Sequence, residues 1–371
     1  MKIALIHFQP PEYYPPIVNI CNYLLKEIDQ SEISLFTNST NTELIANISL
    51  KKIYKIFKFQ KNDKRIIRMV KAVYFNLYVT LQLFRLKPST IFYFETSSSF
   101  PAFLYFLFYS KKTRLYIHYH EYTSLAQYKQ GMLLDRVWHF FETRFLYRKA
   151  YWISQTNEYR RDLFSRDYKF VNPQLLKVLP NFPPEPWIVP LSAAKEKMQK
   201  APYRIIQLGS ISTKHMYARE FFNWIKEMNG LFMLDIYSFS TQPDVATYLE
   251  QLNCPFIQIK GSIAYAEIPG TLSDYDIGVV LYKAYSKNVV YCASNKLFEY
   301  LSGGLDVWVS SVMLGSAPYM RSGSYPKISF VDFENLASLD WKKLIDRDNL
   351  AYEPSDYYME RVYRQLTEHF I

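Results

Sequence analysis

The 371 residues include 44 Lys and Arg against 34 Asp and Glu, 49% apolar residues and three cysteines, a composition that excludes a disordered chain and a length that suits two domains rather than one. Cys21, Cys254 and Cys292 are too widely spaced for a metal motif or a disulfide framework, as expected of a reduced compartment. The formal charge of +10 sits in the first half, where residues 1–185 hold 26 basic against 14 acidic side chains (net +12), while residues 186–371 hold 18 against 20 (net −2).

The chain opens on a β-type run, Lys2 to Phe8, too short and too soon followed by prolines for a signal peptide. A helical pattern spans Ile17 to Ile28 and a second β-type run Ile33 to Thr37. Lys51, Lys52, Lys55, Lys58, Lys61, Lys64, Arg65, Arg68 and Lys71 then recur at three- and four-residue intervals, with Ile53, Ile56, Phe57, Phe59, Ile66, Ile67 and Val70 between them. Two readings stand side by side: a basic amphipathic surface for anionic lipid headgroups or phosphates, and an ordinary solvated face. Ile91 to Phe94 reads as a strand and Phe100 to Tyr109 as a buried helix, far short of a membrane span. Arg114 to His118 and Trp152 to Gln155 read as strands, and Glu158 to Phe164 as a helix. A soluble, cytoplasmic protein is expected.

Residues 180–190 contain five prolines and read as a linker, because proline removes the backbone donors of a helix or central strand. The alternation then restarts. Strands are expected at Arg204–Leu208, Phe232–Tyr237, Phe256–Lys260, Ile277–Leu281 and Val307–Ser310. Helices are expected at Arg219–Met228, Val245–Leu252, Ala266–Leu272 and Lys296–Ser302. Strands alternating with helices indicate two α/β units with parallel sheets. A last helix, about Asp356 to Phe370, is open to packing on either.

Ligands of open α/β sheets bind beyond the carboxyl ends of the strands. In the second unit these ends carry Gly209 to Lys214, Gly261 to Ile263 and Tyr282 to Asn295. Gly209, Ser210 and the small residues after them admit a phosphate close to the backbone, and Lys214 adds charge; a glycine after a strand also suits any tight crossover. The run Ser294 to Gly304 begins with cap-type residues and continues as one short helix ending at a glycine pair. Its N-terminus offers free amides to a diphosphate, with Lys296 beside them. Glu299, one turn on, suits a ribose diol, or a surface salt bridge with Lys296.

Ser294 through Val309 resembles the donor segment of GT-B glycosyltransferases, especially the retaining enzymes of glycosyltransferase family 4. The preceding Ser273 to Tyr282 is similar to the strand leading into it, Val178-Leu179-Pro180-Asn181 to the interdomain turn, and Arg204 to Gly209 to the first donor-domain strand. The resemblance implies two Rossmann-like α/β domains facing each other across a cleft, an acceptor-binding domain over 1–185 and a nucleotide-sugar-binding domain over 200–352. It implies that Glu299 holds the donor ribose, that Asn295 and the backbone of Lys296 and Leu297 meet the diphosphate with Gly209, Ser210 and Lys214, and that Gly261 and Ile263 line the base pocket. Two positions depart from the family pattern: Tyr291 stands where a second glutamate is usual, and Ser210 where an arginine is usual.

In the first domain His118-Tyr119-His120-Glu121 follows a strand. Relatives carry a histidine–acid pair at that loop, which implies a catalytic place for His120 and Glu121 beside the transferred sugar. The His-x-His spacing also suits zinc, but no further His or Cys is near in sequence, so no metal is expected. Gln9 to Pro16 replaces the family's glycine-rich turn, and its Glu12, Tyr13 and Tyr14 are expected to touch the acceptor. The expected activity is sugar transfer from a UDP- or GDP-sugar, with no other cofactor, to a glycan or lipid-linked acceptor in cell-surface polysaccharide synthesis. Lys51 to Lys71 would touch an anionic inner membrane face. The departures leave a second reading, a GT-B scaffold without catalysis. A third, a nucleic-acid-binding protein using the basic half, lacks the aromatic platform or helix-turn-helix spacing such modules use, and no nucleic acid is expected.

Overall fold

The computed structural model describes residues 1–28, 33–39, 52–58, 63–109, 111–193, 200–238 and 241–370, and the Glu12 side chain lies outside that description. The chain divides into two units, Met1–Asn181 with Glu360–Ile371, and Phe182–Met359.

In the first unit seven strands form one sheet: β1 (Ile3–His7), β2 (Ile33–Ser39), β3 (Ile53–Lys58), β4 (Thr90–Phe94), β5 (Arg114–Tyr119), β6 (Trp152–Gln155) and β7 (Leu176–Val178). Their order is β3-β2-β1-β4-β5-β6-β7, every neighbouring pair parallel. β1, β4 and β6 are buried along their whole lengths. Helices cover both faces, which is why these strands read as apolar runs rather than alternating ones. The chain reverses its direction of progress across the sheet between β1 and β4, the switch point at which doubly wound sheets bind ligands.

The second unit repeats this winding with β8 (Tyr203–Leu208), β9 (Phe232–Tyr237), β10 (Ile257–Gly261), β11 (Ile277–Val280), β12 (Asp306–Ser310) and β13 (Ile328–Val331), ordered β10-β9-β8-β11-β12-β13 and parallel throughout. Its switch point lies between β8 and β11. The proline-rich stretch packs on the second unit: Phe182 is buried against Phe298 (ring centroids 4.6 Å), and the Val189 amide donates to Ser302 O at 2.9 Å.

Three expectations change. Lys51 to Lys71 is not one element; its described part is the edge strand β3 followed by the start of a 22-residue helix, Arg65–Leu86, while Lys51, Phe59 and Lys61 lie outside the described residues. The apolar helix Ser99–Tyr109 is buried on one side only, with Leu107 and Phe108 exposed. The C-terminal helix Met359–Phe370 buries Tyr363 and Leu366 in the first unit, where Tyr363 packs on Tyr23 (5.6 Å) and Gln365 donates to Val178 O. No helix among the described residues is long and apolar enough to cross a membrane.

Candidate functional site

Two groups of side chains sit at the switch points, one in each unit. In the second unit β8 ends at Gly209, whose φ of +84° is a left-handed conformation that side chains resist. A Cβ at this position would stand 3.0 Å from Lys296 Cε and 3.2 Å from its Nζ, so the lysine side chain lies directly over the glycine. The loops after β8 and β11 are joined by a bridge between Met216 and Tyr282 and by the Lys283 amide donating to His215 O at 3.0 Å. Tyr282 thereby stands beside Lys296. Its hydroxyl, and after it Glu299, raises the Lys296 ammonium above its ordinary value, against the opposing effect of burial.

The helix Asn295–Ser302 is seated by Tyr300. That ring is fully buried against Gly278 of β11, and its hydroxyl accepts the Leu208 amide at 2.8 Å. Ser294 is the N-cap residue, but its side chain does not bond to the helix. The Leu297 amide donates to Ser294 O at 3.0 Å. The amides of Asn295 and Lys296, one turn from any helical carbonyl, are left for an anion.

Glu299 is 7% exposed, and its carboxylate has no hydrogen-bond partner and no ion pair within 4 Å among the described residues, so the surface salt bridge with Lys296 is absent. Burial pushes the carboxyl up to about 7, with Lys296 opposing. A buried, unpartnered carboxylate is costly to keep without a ligand that donates to it. Lys214 and Ser210 are exposed, and the atoms within 4 Å of a Cβ at Gly209 belong to Lys296, not to Lys214. Gly261 closes β10 at φ +84°, and Ile263 follows half-exposed. Tyr291 packs its backbone on Gly315, where a Cβ would fall 2.3 Å from the Tyr291 carbonyl carbon.

In the first unit His7 ends β1, Glu95 follows β4 and His120 follows β5, three adjacent strand ends. His120 is buried, stacked on Phe94 (centroids 5.7 Å, interplanar angle 2°) and close to His118 (4.6 Å), Tyr14 (5.8 Å) and His7 (6.1 Å). β5 ends at Tyr119, one residue before His120, yet the His118 and His120 rings lie together. Burial brings His7 and His120 down to about 3 and His118 well below its ordinary value, so all three are neutral at physiological pH. Asn181 lies next to His118 and His120. Glu121 and Tyr13 are exposed.

Glu95 was not evident from the sequence. It has φ +64° and ψ 153°, a conformation sparsely populated outside glycine, and its Oε1 accepts the amides of His120 (2.6 Å) and Glu121 (3.2 Å). Burial, then Glu121, pushes its carboxyl up to about 8. Together with His7 it could have been sought as an ionisable residue closing a β-type run. Behind it Glu142 is fully buried and accepts from Tyr93 (2.8 Å), Tyr119 (2.6 Å) and Thr96 (2.8 Å), which holds the loops after β4 and β5 in place.

A carboxyl neutral in the fold but ionised when unfolded loses stability as pH rises from its ordinary value to its raised one. Glu95→Gln should therefore gain on the native chain between pH 4.5 and about 8. Glu95→Ala, which strands two amides, should cost about 2 kcal/mol at pH 4.5 and progressively less as the pH rises toward about 8. Melting temperatures across pH 5 to 9 check both.

No protein-family model matches the chain, and no curated protein matches it. Solved structures do. Sucrose-phosphate synthase from Thermosynechococcus elongatus matches with a TM-score of 0.68 at 12% identity over 100% of this chain and 98% of that one. The lipopolysaccharide outer core galactosyltransferase WaaB in its apo form matches at 0.62, 12% identity, over 100% and 95%. UDP-GlcNAc 2-epimerase from Neisseria meningitidis bound to UDP-GlcNAc matches at 0.60, 12% identity, over 99% of each. At such identities the likeness is one of fold, and it shows two parallel-sheet, Rossmann-like α/β units of the GT-B kind.

Proposed function

We propose that the chain transfers a sugar from a UDP- or GDP-sugar to a glycan or lipid-linked acceptor in cell-surface polysaccharide synthesis, with retention, as the resemblance of Ser294–Val309 to family 4 enzymes implies. The observation that carries the reading is the placement of Lys296 over Gly209, with Glu299 buried and without a hydrogen-bond partner among the described residues one turn along the same helix.

In this reading Lys296 and the Asn295 and Lys296 amides bind the diphosphate, and Glu299 accepts the ribose hydroxyls. Gly209 leaves room for the phosphate, while Gly261 and Ile263 flank the base. The bond from the anomeric carbon to the phosphate oxygen breaks, the acceptor oxygen bonds to that carbon, and the acceptor proton passes to the departing phosphate oxygen. The charge on the departing diphosphate is met by Lys296 rather than a metal ion. Neutral His120, with Glu121, contacts the sugar as a hydrogen-bonding group, and Tyr14 beside it meets the acceptor with Glu12 and Tyr13. The helix Arg65–Leu86 would bring the first unit to an anionic membrane face.

A thermal-shift screen with UDP-, GDP-, ADP- and CMP-sugars at millimolar concentration tests the donor assignment. A ligand at about 100 times its Kd adds about 2.7 kcal/mol of stability, so one base class should raise the melting temperature by several degrees. No response to any of the four sinks the donor site. Product analysis then separates the activities found among the structural neighbours: glycoside formed only with acceptor supports transfer, and epimerised donor formed without acceptor replaces it.

A further inference from the structure

The first unit contains a cavity of about 450 Å³, within the size range of ligand pockets and lined by none of the donor-site residues. Its wall is mainly apolar: Phe8, Phe57, Ile66, Met69, Leu133 and Trp138 line it, with charged side chains among them. Phe8 directly follows His7, and its amide donates to Ser98 Oγ at 2.9 Å, which places the cavity beside the strand ends that carry His7, Glu95 and His120.

The mouth opens onto apolar residues that nothing covers among the described residues. Ile66 is 75% exposed, Leu133 59% and Met132 56%. From Ile66 a stripe continues along the helix through Val70, Val73, Leu77 and Leu81, all exposed and spaced by one turn, while Phe75, Val79 and Leu83 bury the opposite side. A soluble helix normally turns polar side chains outward. This one contains no acidic residue. Arg65 and Arg68, both at the cavity, form no ion pair among the described residues. Lys71 is paired with Asp63 at 2.6 Å, and burial holds the nearby Asp135 carboxyl toward its neutral form. An apolar chamber with two uncommitted guanidinium groups at its mouth suits an aliphatic chain attached to a phosphate.

We propose that this cavity receives the aliphatic chain of a phosphate-bearing lipid, with the phosphate at Arg65 and Arg68, and that this lipid is the carrier of the acceptor; the last clause rests on the transferase reading above. The chain would enter past Leu133 and Met69, and the exposed stripe would lie against the surface from which the lipid is drawn.

The test uses monomeric 12-bromododecyl phosphate, whose bromine quenches tryptophan on contact. The full-length protein should show saturable quenching, most of it lost in Trp138→Phe, and millimolar inorganic phosphate should not displace the probe. Leu133→Asp, at an exposed position the fold tolerates, and Arg65→Glu with Arg68→Glu should each weaken binding at least tenfold, with nucleotide-sugar stabilisation unchanged. Quenching that persists in Trp138→Phe, or binding unaltered in Leu133→Asp, overturns the proposal. So does adsorption to phosphatidylglycerol vesicles with no binding of the monomeric probe, which indicates a flat membrane contact. Concentration-dependent dimers that Leu133→Asp disperses, again with no probe bound, overturn it in favour of an interface between copies. Quenching retained when no nucleotide-sugar binds keeps the lipid site and removes the acceptor role; donor binding retained without quenching removes the lipid site alone.

Discussion

Glu299→Ala should reduce donor turnover by at least about 100-fold while leaving the protein as stable as before, or more stable. The two halves of this expectation share one cause. The carboxylate is buried with no hydrogen-bond partner among the described residues, and burial costs its charge more than Lys296 returns. A bound ribose would supply two donors, and hydrogen bonds to a charged group are worth about 1.5–3 kcal/mol each. Losing both costs about 3–6 kcal/mol, or a factor of about 10² to 10⁴. Below pH 4.5 Glu299 is protonated in both the folded and the unfolded chain. Between pH 4.5 and about 7 the unfolded carboxyl ionises while the folded one does not, and the native chain loses stability over that window. The melting temperature of Glu299→Ala relative to the native chain should therefore rise with pH up to about 7 and level off beyond it. Turnover and melting curves at pH 5, 6, 7 and 8 check both. Undiminished turnover would remove Glu299 from the site, and a variant that is destabilised increasingly as pH rises would show that the charge stabilises the fold.

The second large effect is on structure. Gly278→Ala would place a Cβ 2.2 Å from Cγ and Cδ2 of Tyr300, a ring with no exposed surface whose hydroxyl holds the Leu208 amide. The ring cannot stay, and the helix it seats carries Asn295, Lys296 and Glu299. Overpacking costs about 1–3 kcal/mol and a stranded buried amide a similar amount. About 3 kcal/mol or more should be lost, a fall of roughly 6–12 °C for a unit of this size, with nucleotide-sugar stabilisation lost as well. Tyr300→Phe, which keeps the ring and removes only the hydroxyl, should cost about 1–3 kcal/mol. Combining Gly278→Ala with Tyr300→Leu should recover part of the loss, because the two residues contact each other and their effects do not add. Equal melting temperatures for Gly278→Ala and the native protein would contradict the packing described.

The elements easiest to read in the sequence were those whose burial leaves a local mark. Strands such as Trp152–Gln155 and Phe232–Tyr237 are covered on both faces or nearly so, and so appear as short apolar runs between polar turns. Short strands at or near sheet edges gave no such mark. β7 has three residues, of which only Val178 falls in a segment that the sequence singles out, the turn Val178–Asn181. β3, half-buried at the outer edge, was absorbed into a basic pattern with helical spacing, and β13 has four residues with no clear run. The basic segment misled because lysines at three- and four-residue intervals carry no information about where a strand gives way to a helix.

The sequence by itself determined the α/β alternation, the restart after residues 180–190, and the position of a short helix with Lys296 and Glu299 one turn apart, because these depend on local periodicity and on proline and glycine chemistry. Only the tertiary structure decided that Lys296 rather than Lys214 lies over Gly209, that Glu299 is buried instead of paired on the surface, and that His7, Tyr14, Glu95 and His120 come together. The reason is the order of the parallel sheets. Crossing over between β1 and β4, and between β8 and β11, sets side by side strand ends that are remote in the chain, and the burial that shifts their ionisable groups exists only once those neighbours are in place.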